Sequence, residues 1–368
     1  MLAELTGDIL PFWMDRMIAP DGGFYGRMSG SCDIEPEAPR GGILNSRILW
    51  TFSSAYRILG NEEYLEVARR AFVQIRDFFT DKNFGGIYWS IAPDGKPIET
   101  KKQFYAIAFA VYGCSEYFRA TGDEEALEQA ISLWRSIEDH SLDTLKGGYL
   151  EACTRDWKPI ADMRLSERDR NDAKTMNTHL HILEGYTGLY RVWKDETLRR
   201  RLVELCDIFM NKIVRPDGHM GLFFDEDWNP TTDDVSYGHD IEASWLLQET
   251  AELLGDEALL ARVRGCCTRM AEASLEGLRP DGSMIYELDD ESRQWWVQAE
   301  TVVGCLWQGW TDKALDCWSF IKSKLIAPDG EWYWSIGADG TPNTADDRAG
   351  FWKCPYHNGR MCMEVLSL

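Results

Sequence analysis

Ala106-Ile107-Ala108-Phe109-Ala110-Val111, then the break Thr121-Gly122-Asp123, then the acidic start Glu124-Glu125: this stretch sets out the building unit of the chain. Phe104 to Ala120 reads as a helix richer in apolar and small residues than its partner, as suits a buried helix. Glu124 to Asp139 reads as a second helix with a charged face. A glycine stop followed by an acidic start is ordinary helix punctuation.

Working outward, the unit recurs. Ile43 to Leu59, the break Gly60-Asn61 and Glu62 to Phe79 form one pair. Ala173 to Trp193 pairs with Glu196 to Ile213. His239 to Leu254 breaks at Gly255-Asp256 and pairs with Glu257 to Leu275. Gln294 to Gln308 pairs with Thr311 to Leu325. Leu2 to Ile18 and a helix from about His357 supply the last pair.

Between pairs lies a turn: Pro20-Asp21-Gly22-Gly23, Asn83-Phe84-Gly85-Gly86, Lys146-Gly147-Gly148, Arg215-Pro216-Asp217-Gly218, Arg279-Pro280-Asp281-Gly282 and Ala327-Pro328-Asp329-Gly330. The aromatic alternation after these turns predicts short hairpin strands. Such regular recurrence means a repeat. The expected fold is all-α: an (α/α)6 barrel of twelve helices with short β-hairpins in the connections, one domain over residues 1–368. The apolar first helix of each pair belongs to an inner ring and the charge-rich second helix to an outer one.

A formal net charge of −22 disfavours nucleic acid and anionic membranes as partners. Residues 1–18 carry Glu4, Asp8 and Asp15 and no basic lead, unlike a secretory signal. No apolar run reaches the roughly 20 residues needed to span a bilayer. The ten cysteines are scattered without a CxxC pair, which fits reduced, buried thiols. A cytoplasmic monomer is expected. Sixteen tryptophans exceed what a core needs, and an indole face suits the C–H face of a pyranose.

The reactive residues fall at one end of the expected inner helices. Arg47 opens the first, Tyr105 the second, and His179 and His181 lie early in the third. His239 opens the fourth, Trp295-Trp296 the fifth and His357 the last. His179 and His181, two apart, face different ways, so they make a poor metal pair and one of them is structural. His181 shares a face with Asn177. Glu242, three residues after His239, shares its face and is expected to orient that imidazole. Trp295 and Trp296 are not both expected to face inward, and Trp352 is either core or a sugar platform. Neutral imidazoles near helix N-termini suit proton removal beside a carbonyl, with an enediolate as the transient anion.

Several local stretches resemble the cellobiose 2-epimerases of the N-acylglucosamine 2-epimerase superfamily. They are Asn45-Ser46-Arg47-Ile48-Leu49-Trp50, Met176-Asn177-Thr178-His179-Leu180-His181 and Gly238-His239-Asp240-Ile241-Glu242-Ala243-Ser244-Trp245. Trp295-Trp296-Val297-Gln298-Ala299-Glu300 and Lys353-Cys354-Pro355-Tyr356-His357-Asn358-Gly359-Arg360 complete the set. The resemblance implies an (α/α)6 barrel, no cofactor and no metal, and two bases, His239 and His357, on either side of C2 of a reducing-end sugar. It implies that Arg47 stabilises the enediolate, that Glu242 tunes His239, and that His181 with Asn177 and Tyr105 binds the sugar and assists ring opening. Trp296 and Trp352 become platforms for the outer sugar of a disaccharide. Asp169 and Glu300 are further candidates for hydroxyl contacts. An aldose–ketose isomerase or an N-acylglucosamine 2-epimerase on the same scaffold, and more remotely an (α/α)6 glycoside hydrolase, are the alternatives.

Overall fold

Asn61, Asp123, Asp195 and Asp256 each stand directly before a helix and accept a hydrogen bond from a backbone N–H of its first turn. Gly60, Gly122 and Gly255 precede three of them in the left-handed conformation. These stops and caps cut the chain into the expected pairs. The structure, a computed structural model, describes residues 1–167 and 169–367.

The inner helices are α2 (Gly42–Leu59), α4 (Phe104–Thr121), α6 (Met176–Val192), α8 (Tyr237–Leu254), α10 (Trp295–Trp307) and α12 (Tyr356–Ser367). The outer ones are α1 (residues 2–16), α3 (62–79), α5 (Glu124–His140), α7 (196–213), α9 (Glu257–Ser274) and α11 (311–325). Helices α3, α7 and α11 each end in a π-helical turn. Helix α6 begins at Met176, three residues later than the sequence suggests, because Lys174-Thr175 is drawn into a two-residue strand with Phe223-Phe224.

Each inner helix packs on the next, and α12 packs back on α2, so the ring is closed. The approach is close. A Cβ on Gly185 would stand 2.6 Å from the Ala108 carbonyl oxygen, so only glycine lets α6 lie against α4 there.

The six turns share one closure, tightest in the four that carry a single left-handed glycine. A single antiparallel bridge closes each: Ile18 to Phe24, Thr80 to Ile87, Leu142 to Tyr149, Val214 to Met220, Leu278 to Met284 and Ile326 to Trp332. The segment entering each inner helix pairs with the segment after the next turn, as Lys102-Gln103 does with Ala152-Cys153. The Met28 to Ala349 bridge joins the first repeat to the last. Glu331 ties the same closure from within. It accepts from Trp13 Nε1 at 2.7 Å, Lys353 Nζ at 2.8 Å and Asn358 Nδ2 at 2.6 Å.

The fourth residue of three inner helices anchors its own turn. His179 Nε2, Asp240 Oδ1 and Gln298 Oε1 accept the backbone N–H of Tyr149, Met220 and Met284, each at 2.9 Å. His179 is thereby structural. Its Nδ1 donates to the Thr175 carbonyl at 2.7 Å, so neither ring nitrogen is left for chemistry. No helix among the described residues is long and apolar enough to cross a membrane.

Candidate active site

All six inner helices begin at the same end of the barrel, and each sends at least one side chain into a single cavity there. Arg47 comes from α2, Tyr105 from α4, Asn177 and His181 from α6, and His239 and Glu242 from α8. Trp295 and Trp296 come from α10 and His357 from α12, while Asp169, Tyr286, Trp334 and Trp352 reach in from connecting loops.

Three histidines face this cavity, His181 and His357 buried and His239 partly exposed, each with Nδ1 engaged behind it. His181 Nδ1 donates to Glu184 Oε2 at 2.8 Å, and His357 Nδ1 donates to Glu300 Oε1 at 2.7 Å. A carboxylate can only accept, so both rings hold their proton on Nδ1 and present an unprotonated Nε2. His239 Nδ1 pairs with the Ser236 hydroxyl at 2.7 Å. A hydroxyl can give or take, so this ring can hold either tautomer. The Trp296 ring lies beside both His239 and His357, with centroids 4.7 and 5.6 Å away. Burial holds His239 and His357 down to about 3, aided for His239 by the neighbouring His181 and opposed for His357 by Glu300. Burial, with Arg47 and Arg360 nearby, also holds His181 well below the ordinary histidine value. All three are neutral at pH 7.

The arrangement fixes a pH response. Neutral imidazoles stay neutral well below pH 6.5, so kcat/KM should show no acid limb at the ordinary histidine pKa. The unfolded chain does bind those protons below about 6.5. These three groups therefore contribute stability that is lost as pH drops through that value, while Glu151, raised by burial to about 8, and Glu4 and Glu364, raised to about 7, contribute in the opposite sense. The expected result is a flat kcat/KM from pH 8 to 6. A limb centred at 6.5 would contradict it.

Behind the histidines lies one buried cation. Arg360 Nη2 donates to Glu242 Oε1 at 2.7 Å and Glu300 Oε1 at 2.6 Å, and Nη1 reaches Glu184 and the Tyr356 hydroxyl. Arg360 thus links the carboxylate behind His181 to the one behind His357. Burial and the charge of Glu300 push Glu242 well up, whereas Arg360 and His357 hold Glu300 down against its burial. Glu242, Glu300 and His357 offer ligand atoms within 4.8 Å of one another, but the guanidinium already supplies the cation there.

Several expectations need correction. Glu242 does not orient His239; its carboxylate is drawn to Arg360, which arrives from α12, and Ser236 takes the His239 nitrogen instead. Glu300 is not a hydroxyl contact. Both its oxygens are consumed behind His357, Oε2 by Trp245 Nε1 at 3.0 Å. Trp295 and Trp296 both line the cavity, because the mouth wraps around the first turn of α10 rather than meeting one face of it. Asp169 does reach the cavity, with one oxygen held by the Ser166 amide and hydroxyl at 2.8 and 2.9 Å. Trp352 stands at the mouth, edge-on to Tyr105 with ring centroids 6.1 Å apart.

Sequence reasoning passed over Glu184, Ser236 and Arg360. Glu184 is three residues after His181 and Arg360 three after His357, the spacing that was applied to His239 and Glu242.

Three buried polar atoms of cavity-lining residues have no partner among the described residues: Arg47 Nε, Asn177 Oδ1 and Trp295 Nε1. Arg47 Nη2 donates to the Tyr105 hydroxyl at 2.9 Å, and the guanidinium lies 4.2 Å over the Phe109 ring. Two donors and an acceptor left open beside neutral bases are what sugar hydroxyls or an oxyanion would satisfy.

The sequence profile of the N-acylglucosamine 2-epimerase family matches residues 23–358. The chain belongs to that family. It is a carbohydrate epimerase, an isomerase. The cellobiose 2-epimerase of Bacteroides fragilis is 56% identical over 382 residues, covering 100% of this chain and 97% of that protein. The solved cellobiose 2-epimerase from Bacillus thermoamylovorans superimposes with a TM-score of 0.95 at 37% identity, covering 100% of the epimerase described here and 97% of that chain. A solved D-mannose isomerase, 19% identical with a TM-score of 0.87 over 100% of this chain and 96% of its own, shares the fold.

Proposed function

We propose that the enzyme epimerises C2 of the reducing-end glucose of a β-1,4-linked disaccharide, converting cellobiose to glucosyl-mannose, with lactose and mannobiose as further substrates of the same kind. One observation carries the reading: two neutral imidazoles, His239 and His357, share one cavity with an unpartnered guanidinium N–H. The 56% identity to a cellobiose 2-epimerase supports the choice of a disaccharide.

The reducing sugar opens to its aldehyde with help from His181, held by Asn177 and Tyr105. One histidine then removes the C2 proton, leaving a cis-enediolate whose charge lies on O1 and O2 beside Arg47. The other histidine, protonated from solvent once that anion has formed beside it, delivers the proton to the opposite face of C2, and the first releases the proton it took. Two bases are needed because one ring cannot reach both faces of a planar intermediate. Glu300 stabilises the imidazolium that forms on His357, as a buried carboxylate behind a histidine does. The proton balance resets through solvent between turnovers. The scheme calls on no cofactor, and ten free cysteines fit the reducing cytoplasm in which we place this enzyme as a monomer.

Trp352 and Trp296 would carry the outer sugar. Trp352→Ala should raise the KM for cellobiose roughly tenfold, the worth of about 1.4 kcal/mol of stacking, while leaving kcat little changed. An unchanged KM would refute the platform.

The deciding experiment incubates the enzyme with cellobiose in D2O, without added metal, and follows the sugar by NMR. Deuterium at C2 with a glucosyl-mannose product supports the reading. A glucosyl-fructose product without the mannose epimer, or free glucose, overturns it.

A further inference from the structure

Asp240 follows His239 directly and is buried against a histidine outside the cavity, His219. The corresponding residues of the neighbouring repeats, His179 and Gln298, are neutral where they anchor their turns. Asp240 does more. Its Oδ1 takes the Met220 amide, and its Oδ2 takes His219 Nδ1 at 2.7 Å. Neither Asp240 nor His219 lines the catalytic cavity. The opposite side of the same helical turn is clamped too. A Cβ on Gly238 would stand 2.8 Å from the Trp296 ring and 2.7 Å from Val297, so the backbone there is pressed against α10. The first turn of α8 is therefore held between Trp296 on one side and His219 on the other. His239 lies within that turn, its ring hydrogen-bonded to Ser236 alone among the described residues.

We propose that His219 is a positioning residue for His239, acting through Asp240 and never touching the sugar. The proposal rests on His239 being one of the two bases. The charged groups around His219 are those of a held cation. Asp240 is bonded to Nδ1, the Glu276 carboxylate lies 3.5 Å from Nε2, and Asp217 sits in the same turn, with the Tyr237 ring 5.8 Å away. The hydrogen bond to Asp240 raises the pKa of His219 above the ordinary histidine value, against the opposing effect of burial. A charged tie on the turn that carries His239 replaces the neutral ties of the adjacent repeats.

The test compares His219→Ala, His219→Asn, Asp240→Asn and the His219→Ala/Asp240→Asn double variant on cellobiose. Asparagine places an amide N–H where Nδ1 stood. The expected result is a kcat about tenfold lower for His219→Ala with KM within twofold, and most of the loss recovered in His219→Asn. The double variant should be no worse than the poorer single one, since both remove one interaction. C2 deuterium exchange in D2O adds a readout that a general loss of stability would not move selectively. Introduced into His357→Ala, His219→Ala should slow the exchange that His239 still performs. Introduced into His239→Ala, it should leave the exchange by His357 within twofold. Equal slowing in both backgrounds, additive losses, or a kcat unchanged in His219→Ala overturns the proposal. Near-wild-type turnover of His239→Ala overturns the reading of His239 itself, and with it this one.

Discussion

His239→Ala and His357→Ala should each lower kcat by at least about a thousandfold, the scale on which a positioned proton-transfer group contributes. Neither change should unfold the chain. Glu300 keeps Arg360 and Trp245 when His357 is lost, and Ser236 is a neutral hydroxyl that tolerates the loss of His239. The sharper result lies in exchange rather than turnover. With one base gone, the remaining base still reaches one face of C2. Each single variant should therefore wash deuterium into C2 of one epimer and not the other, without inversion, and the two variants should choose opposite epimers. Incubating each variant in D2O with cellobiose and separately with glucosyl-mannose assigns which histidine serves which face. Exchange of both epimers by one variant would mean that a single base serves both faces, and near-wild-type turnover of either would remove that histidine from the mechanism.

The fold was legible because its boundaries are written locally. A left-handed glycine and a capping Asp or Asn at Gly60-Asn61, Gly122-Asp123 and Gly255-Asp256 need no tertiary knowledge to be read. The shared starting end of the inner helices placed Arg47, Tyr105, His181, His239, Trp296 and His357 around one cavity before any coordinates. The wiring behind them was not legible. His181–Glu184 and His239–Glu242 have the same i, i+3 spacing, yet only the first pair bonds. Spacing says which groups can meet. The choice is made by Arg360, which comes from the far end of the chain and takes Glu242 for itself. Local pattern cannot show a cation arriving 118 residues later. The start of α6 was misjudged for a related reason. Lys174-Thr175 pairs with a strand in the next repeat, and its own sequence does not announce that partner.

Arg360→Met should be the most destabilising single change at the site. The guanidinium is fully buried and is the cation shared by Glu184, Glu242 and Glu300. Methionine matches much of its length but leaves three carboxylates without that cation. Breaking one buried ion pair costs about 3–5 kcal/mol, because the surviving charge has lost its partner and not regained water. Here the survivors repel one another as well. Activity should fall with stability, since Glu184 and Glu300 orient His181 and His357. The sign of the pH dependence separates this account from simple cavity formation. Without Arg360 the buried carboxylates bind protons more tightly in the folded state than in the unfolded one. Relative to the wild type, the variant should therefore lose stability as pH rises above about 4.5. The three neutral histidines contribute alike to both proteins and cancel in the comparison. Denaturant titrations at pH 5.5 and 8 should show the variant's deficit growing with pH. Adding Glu242→Gln to Arg360→Met removes one of the stranded charges and should recover part of the loss at pH 8 and little at pH 5.5. Parallel slopes, or no recovery at pH 8, would mean that Arg360 acts through packing alone.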